Sequence, residues 1–403
     1  MAQAGDCYNV ADFERQARKR LPAPLYHYIA GGADDERTCS ANVEAFERYN
    51  LVPNYLHDIR MIDMRRKVLG RELRWPLILA PTGMTRIFHQ AGEIGVAREA
   101  ERSGVGYALS TMATASIETI GNASSGPKIF QLYLLNDEAR NFSMIDRCKA
   151  AGFDALCLTV DTVVAGNRER DLRTGLTVPP RLTPSSVMAF AMRPRWCLDY
   201  LMGGAFSLPN IADGGSNNDL TTLTAYFAAR MECNITWAAI ERIAAYWGGA
   251  FAIKGIQSLR DARLAAAVGA TAVILSNHGG RQLDGVAPTI DLVADTVDAI
   301  GDRVEVILDG GIRRGSHIVK ALAMGAAACM TGRPYLYGLS AFGARGVQRV
   351  LEILRTETER TLGLMGCASV DQLTRDHIRL ADGIPHFLQG EPDRGSPRLR
   401  NIF

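Results

Sequence analysis

Eight short apolar runs punctuate the chain, each bounded by glycine or a charge: Pro76–Gly83, Val105–Thr111, Lys128–Leu134, Ala155–Asp161, Ala250–Gly255, Ala272–His278, Val304–Gly311 and Ala326–Arg333. Each reads as a buried strand, and most are followed by a stretch with helical spacing. After the first, Glu93, Val96, Ala97 and Ala100 lead to Gly104. After the fifth, Ser258 reads as an N-cap with Asp261 three residues on, followed by Leu264, Ala265 and Val268 before Gly269. Eight strand–helix units in series predict an α/β fold, the (β/α)8 TIM barrel. A doubly wound sheet is the alternative, but no Gly-x-Gly-x-x-Gly opens a helix after an early strand.

Two segments break the alternation. Residues 1–70 precede the barrel as a partly helical extension, with a helix expected over Asp12–Leu21 and stopped by Pro22. Residues 175–235 form an insertion between the fourth and fifth strands, on the loop side where lids and gates sit. The insertion contains Pro179-Pro180, an apolar-basic stretch from Val187 to Trp196 and the polar run Gly214–Asp219. The apolar-basic part, within residues 184–205, either packs on its own protein as a lid or dips into a lipid interface, with arginines on headgroups and Trp196 at the boundary. Pro194 is expected to limit any helix there. Gly343–Gly366 reads as a closing helix, and the Pro/Gly/Arg-rich tail from Gly390 to Phe403 as a surface wrap or disordered end.

A chain of 403 residues, 47% of them hydrophobic, can fill one core as a single domain spanning 1–403. A formal net charge of +2 argues against a nucleic-acid binder. The eight cysteines include no Cys-x-x-Cys pair and read as free thiols in a reducing compartment, so no metal site is expected. Met1–Arg20 lacks a signal-type apolar core, and no run approaches the ~18 apolar residues of a spanning helix. The expected location is therefore cytoplasmic, or peripheral on the inner face of the cell membrane.

In a barrel of this kind the reactive groups lie at the C-terminal strand ends. Those ends supply Pro81-Thr82-Gly83, Ser110, Gln131 and Tyr133, Thr159 and Asp161 with Arg168 beyond, Lys254, Ser276 and His278 with Arg281 beyond, Asp309-Gly310-Gly311 with Arg313 beyond, and Gly332-Arg333. Singly each has a dull reading: Tyr133 as a core tyrosine, Asp161 as a helix cap, His278 as a strand cap with Gly279-Gly280 as a turn. Together they ring one opening with a proton acceptor, a lysine and several arginines. A histidine takes a proton near neutral pH, and an arginine grips a carboxylate through two parallel hydrogen bonds. The two glycines let backbone approach a flat ligand. The last two ends read either as phosphate loops, using glycine N–H groups and guanidinium charge, or as tight turns with solvated arginines.

With these motifs in order, the chain resembles the FMN-dependent L-2-hydroxy acid dehydrogenase and oxidase family from about Tyr26 to Gly366. The likeness rests on Tyr28 ahead of Gly31-Gly32, Ala80–Gly83, Gln131-Leu132-Tyr133, Leu158–Asp161, Arg168-Glu169, Ile253–Gly255, Ser276–Asp284, Asp309–Gly315 and Gly332–Pro334. Gly166–Leu172 and Arg193–Asp199 are most similar to the (S)-mandelate dehydrogenase branch, whose insertion contacts the membrane. The resemblance implies FMN-dependent oxidation of an L-2-hydroxy acid, mandelate- or lactate-like, to the 2-oxo acid. It implies His278 as general base, oriented by Asp161. Tyr28, Arg168 and Arg281 would hold the substrate carboxylate, and Tyr133 the reacting hydroxyl. For FMN it implies Pro81, Thr82, Gly83, Ser110, Gln131, Thr159, Lys254 and Ser276 around the ring, and Asp309, Gly311, Arg313, Gly332 and Arg333 along the ribityl chain and phosphate. Electrons would pass to a quinone or other carrier or, in the alternative oxidase reading, to O2 with release of H2O2. The family's habit implies a homotetramer. Gly83 stands where several oxidases have alanine, Met112 where glycolate oxidase has tryptophan, and Asn167 replaces a basic neighbour of Arg168.

Overall fold

A computed structural model of the chain describes residues 3–176, 183–203, 206–211 and 231–381. Pro179-Pro180, the polar run Gly214–Asp219 and the tail Gly390–Phe403 lie outside the described residues. All eight expected strands form: β1 (Leu77–Leu79), β2 (Gly106–Ser110), β3 (Lys128–Leu132), β4 (Ala155–Thr159), β5 (Ala250–Ile256), β6 (Ala272–Leu275), β7 (Glu305–Asp309) and β8 (Ala328–Thr331). Each pairs in parallel with its sequence neighbours, and β8 pairs with β1 to close the barrel. Seven of the strands stop one to four residues before their apolar runs do, so the final residues of those runs curl off the ladder into the mouth, while β5 continues one residue past Gly255.

Side-chain alternation splits the core in two. Ile78, Ala108, Ile129, Ala155, Cys157, Ala252, Ala272, Ile274, Ile307, Ala328 and Met330 fill the barrel interior. Leu77, Leu79, Leu109, Phe130, Leu156, Leu158, Phe251, Val273, Val306 and Leu308 belong to the outer core shared with the helices. The many inward alanines keep the lumen packed by small groups. The hairpin Arg66–Val68/Arg71–Leu73 plugs the opposite end, with Val68, Leu69 and Leu73 joining the inner cluster.

Helix boundaries follow local chemistry. Ser258 accepts from Asp261 N–H at 3.1 Å and caps Leu259–Ala267. The first long helix runs Val10–Arg20, two residues earlier than Asp12, because Asn9 caps it by accepting from Asp12 N–H at 2.9 Å. It packs on the helix that follows β8, Arg333–Phe342, through an edge-on Phe13–Phe342 contact at 6.0 Å. The closing helix spans Ala344–Leu364.

Pro194 limits the helix before it, which ends at Ala191, and opens the next one. Pro184–Ala191 and Pro194–Met202 both open with proline in the first turn, where its missing N–H costs nothing. Trp196 packs on its own protein. Its indole N–H donates to Ile87 O at 2.9 Å and its ring packs between Phe190 and Tyr200, because a half-buried indole needs a partner for its nitrogen. Arg193 donates to Leu21 O at 3.2 Å, and Arg20 pairs with Asp199. The pair of helices is thus pinned inward, while Val187, Met188, Met192, Leu198, Leu201 and Met202 remain exposed. No helix among the described residues is long and apolar enough to cross a membrane.

Candidate active site

Directly after β6 the chain turns through three left-handed residues, His278 (φ 58°), Gly279 (φ 66°) and Gly280 (φ 74°). Such a φ is uncommon for histidine and points to a constrained site. Asn277 and Asn42 hold the turn from behind by exchanging amide hydrogen bonds at 2.8 and 2.9 Å. The glycines permit a close approach within the protein itself. A Cβ on Gly280 would meet Cys39 N at 2.4 Å and one on Gly279 would meet Arg333 Nη1 at 2.6 Å. The turn thus sits against the N-terminal segment and Arg333, with Gly279 also lining the cavity. The turn aims His278 at the barrel axis, where its Nδ1 lies 3.0 Å from Asp161 Oδ1 at the end of β4.

Beside this pair, Tyr28 from the helix Ala23–Ala30 carries two cations on its ring, Arg281 at 4.7 Å and Arg168 at 5.4 Å. Arg281 also donates to the Tyr28 and Gly31 carbonyls. Burial, and then neighbouring Arg168, pull the Arg281 pKa down to about 10, which leaves it charged at neutral pH. Asp171 lies 3.5 Å from Arg168 Nε, and burial raises its pKa against the pull of the two arginines. Burial, reinforced by Asp161, pushes the Tyr133 phenol well above its ordinary range, so it stays a hydrogen-bond donor.

Deeper in the mouth, Lys254 Nζ reaches Asp309 Oδ2 and Ser276 Oγ, each at 2.7 Å, and Ser276 Oγ donates to Asp309 at 2.8 Å. Burial opposes the lysine's charge, but Asp309 and Asp161 outweigh it and raise its pKa. A cavity of about 500 Å³ joins these regions. Tyr28, Pro81, Thr82, Gly83, Ser110, Tyr133, Arg168, Lys254, His278, Arg281, Asp309, Gly311, Arg313, Gly332 and Arg333 all line it. Asp161, Gln131, Thr159 and Ser276 stand behind that wall.

Sequence reasoning missed the cavity liners Asp171 and Gln282, the apolar liners Met84, Phe88, Val163, Leu172 and Met231, and Asn42, which braces the β6 turn from behind. Asp171 had a readable signal, its i+3 spacing from Arg168. Asn42 and Met231 had none, since only folding brings the extension and insertion to the strand ends.

The FMN-dependent dehydrogenase family model matches residues 17–380. The chain belongs to that family. It is 37% identical to glycolate oxidase 1 of Oryza sativa subsp. indica over 388 residues, covering 95% of this chain and 100% of the relative. It is equally 37% identical to a putative L-lactate dehydrogenase of Mycobacterium tuberculosis, over 93% of this chain and 89% of the relative. A crystal structure of the monotopic membrane protein (S)-mandelate dehydrogenase superposes with a TM-score of 0.89 at 35% identity, covering 93% of this chain and 100% of that one. The protein is thus an oxidoreductase of the FMN-dependent 2-hydroxy-acid-oxidising family, with FMN as cofactor.

The residues present fit FMN. Gln131 uses its carbonyl to accept from Ser110 Oγ at 3.0 Å, which leaves Gln131 Nε2 buried without a partner. Thr159 Oγ1 is likewise buried and unpartnered. A buried polar atom left so is costly unless a ligand satisfies it, and the edge of a flavin pyrimidine supplies both donors and acceptors. Arg313 is half-buried, with a hydrogen bond to Ile312 O at 2.9 Å and, among the described residues, no carboxylate in an ion pair. Such a cation suits a phosphate. Arg333 differs from it: its three nitrogens donate to Ile29, Gly279 and Gly31 carbonyls at 2.8–2.9 Å, so it staples the helix Ala23–Ala30 to the β6 turn.

Proposed function

We propose that the protein oxidises an L-2-hydroxy acid with an apolar side chain to the 2-oxo acid and passes the electrons to a quinone or another carrier. The observation that carries this reading is the His278–Asp161 pair beside two arginines, Tyr28 and Tyr133 on one cavity wall. Arg281 and Arg168, with Tyr28, hold the substrate carboxylate. Tyr133 donates to the oxygen on C2. His278 Nδ1 is committed to Asp161, so Nε2 is the nitrogen that takes the substrate proton, and the Asp161 carboxylate stabilises the resulting imidazolium. Bound in the cradle, FMN supplies the two-electron acceptor. Gln131, Thr159, Ser110, Lys254 and the Pro81–Gly83 backbone hold its ring, and Gly311, Arg313, Gly332 and Arg333 frame its phosphate end. The apolar liners Met84, Phe88, Met112, Val163 and Leu172 favour an aryl or branched side chain over glycolate.

His278→Gln should keep FMN bound and slow anaerobic flavin reduction by roughly 10²–10⁴-fold; near-normal reduction refutes the base. A carrier as acceptor is supported by the likeness to (S)-mandelate dehydrogenase, and fast reoxidation of the reduced enzyme by air-saturated buffer would instead favour the oxidase. We further propose, from the exposed apolar side chains of residues 187–202, that the helix pair meets a lipid surface and that the protein is peripheral to the membrane. Co-sedimentation with vesicles, lost on deleting residues 184–205, tests this. The chain is proposed to act as one domain in a homotetramer, to be checked by sedimentation analysis.

A further inference from the structure

Three backbone groups of the loop after β4 converge on one side chain that the reaction above does not use. Gln282 Nε2 donates to the carbonyl oxygens of Asp161 at 2.9 Å and Val164 at 2.8 Å, and its Oε1 accepts from Gly166 N–H at 3.2 Å. Two carbonyls and one N–H determine which end of the amide is nitrogen. The junction is also tight: a Cβ on Gly166 would meet Arg281 O at 2.3 Å and Gln282 Cα at 2.8 Å. The same two loops are tied to the N-terminal extension. Asp34 N–H donates to Asn167 O at 2.8 Å, and Ala33 N–H to Gly280 O at 2.8 Å.

We infer that Gln282 is a positioning residue for the oxidation, its carboxamide locking the loop that carries Asp161 to the loop that carries His278. The inference rests on the proposed reading in one respect, that His278 is the base and Asp161 its orienter. The two partners sit on different strands, β6 and β4, which are not neighbours in the barrel. Their 3.0 Å contact therefore depends on how two loops meet. Only a primary amide meets the demand at this point. Glutamate has no hydrogens for the two carbonyls, and methionine, of similar length, makes none of the three bonds. Misplacement of a reacting group by ~1 Å costs on the order of 10²-fold in rate, so a slack loop shows in catalysis before it shows in folding.

The test uses FMN-loaded Gln282→Met, with Gln282→Glu as a second variant read the same way should the first not fold. Anaerobic flavin reduction by a saturating hydroxy acid is expected to slow ~10- to 100-fold, while the substrate Kd changes less than ~3-fold. Amide exchange at Gly166 should accelerate, because its N–H loses the Oε1 acceptor. Combined with Asp161→Asn, the loss should be smaller than the product of the two single losses, since both act through one contact. Rate losses that multiply, or a rate within ~3-fold of the parent, overturn the inference. The two claims separate cleanly: slow reduction in His278→Gln with normal reduction in Gln282→Met sinks the positioning role alone, whereas normal reduction in His278→Gln sinks the base and this inference with it.

Discussion

Replacing Asp161 with asparagine isolates the charge at the centre of the proposed mechanism. The side chain keeps its size and an oxygen facing His278 Nδ1, now 3.0 Å away, but loses its negative charge. Taking the charge centres as ~4 Å apart and an effective dielectric of ~20, carboxylate and imidazolium attract by ~4 kcal/mol. The His278 side chain is 26% exposed, which weakens this through solvent screening. A loss of ~3–4 kcal/mol of imidazolium stabilisation corresponds to ~10²–10³-fold in the rate of a step that forms it. Asp161 Oδ2 is buried and has no partner, so the neutral amide breaks no ion pair there; it withdraws one of the two carboxylates that favour charged Lys254, but Asp309 remains 2.7 Å from that lysine, and the melting temperature should fall only slightly. Anaerobic stopped-flow bleaching of the flavin across a hydroxy acid series measures the rate, and calorimetry the stability. A reduction rate within ~3-fold of the parent in a fully folded, yellow variant would refute the electrostatic argument. A large fall in melting temperature would show Asp161 to be a structural residue first.

Arg281→Lys should weaken carboxylate binding by ~10- to 100-fold, since a lysine cannot serve the Tyr28 and Gly31 carbonyls and a bidentate anion together; titration with a substrate analogue checks it. Gly83→Ala would place a methyl 2.9 Å from Met112 Cβ, so Met112 must shift into the cavity. The substrate Kd should rise severalfold, and Met112→Gly in the same chain, which removes the clashing Cβ, should restore it. Acid stability has a worked sign. Burial, then Arg20, lowers His89 from 6.5 to about 4, and burial, then Lys320, Arg313 and Arg314, against a Gly311 hydrogen bond, does the same for His317. Both pKa values are depressed on folding, so stability is complete above pH ~6.5 and falls as pH drops toward ~4, by up to ~3 kcal/mol per histidine. Melting curves from pH 7 to 4 measure this, and His89→Gln should remove about half of the loss.

The barrel was legible because strand order, strand ends and helix caps are local properties. Apolar runs of this length, each closed by a glycine or a charge, admit few other arrangements, and Ser258 caps its helix by chemistry visible within four residues. The residues around the mouth were legible for the same reason, since a closed parallel barrel delivers every strand end to one rim. The contacts of Trp196 were not legible, because composition does not say which face of a short helix finds a carbonyl. Arg333 looked like Arg313 in the sequence, each an arginine beyond a glycine at a strand end. Only the approach of Ile29, Gly31 and Gly279 gave it a stapling set of acceptors while Arg313 kept a largely unshared charge.

From the linear order came the closed barrel, the rim and the chemical types gathered on it, all of which follow from periodicity and chain punctuation. Tertiary structure alone decided which groups touch. The 3.0 Å meeting of His278 with Asp161, the two cations on Tyr28 and the Gln282 clamp join segments 117 to 253 residues apart or hang on the conformation of two loops. Such contacts depend on the sub-ångström fit of surfaces far apart in the chain, and no local pattern of residues encodes that fit.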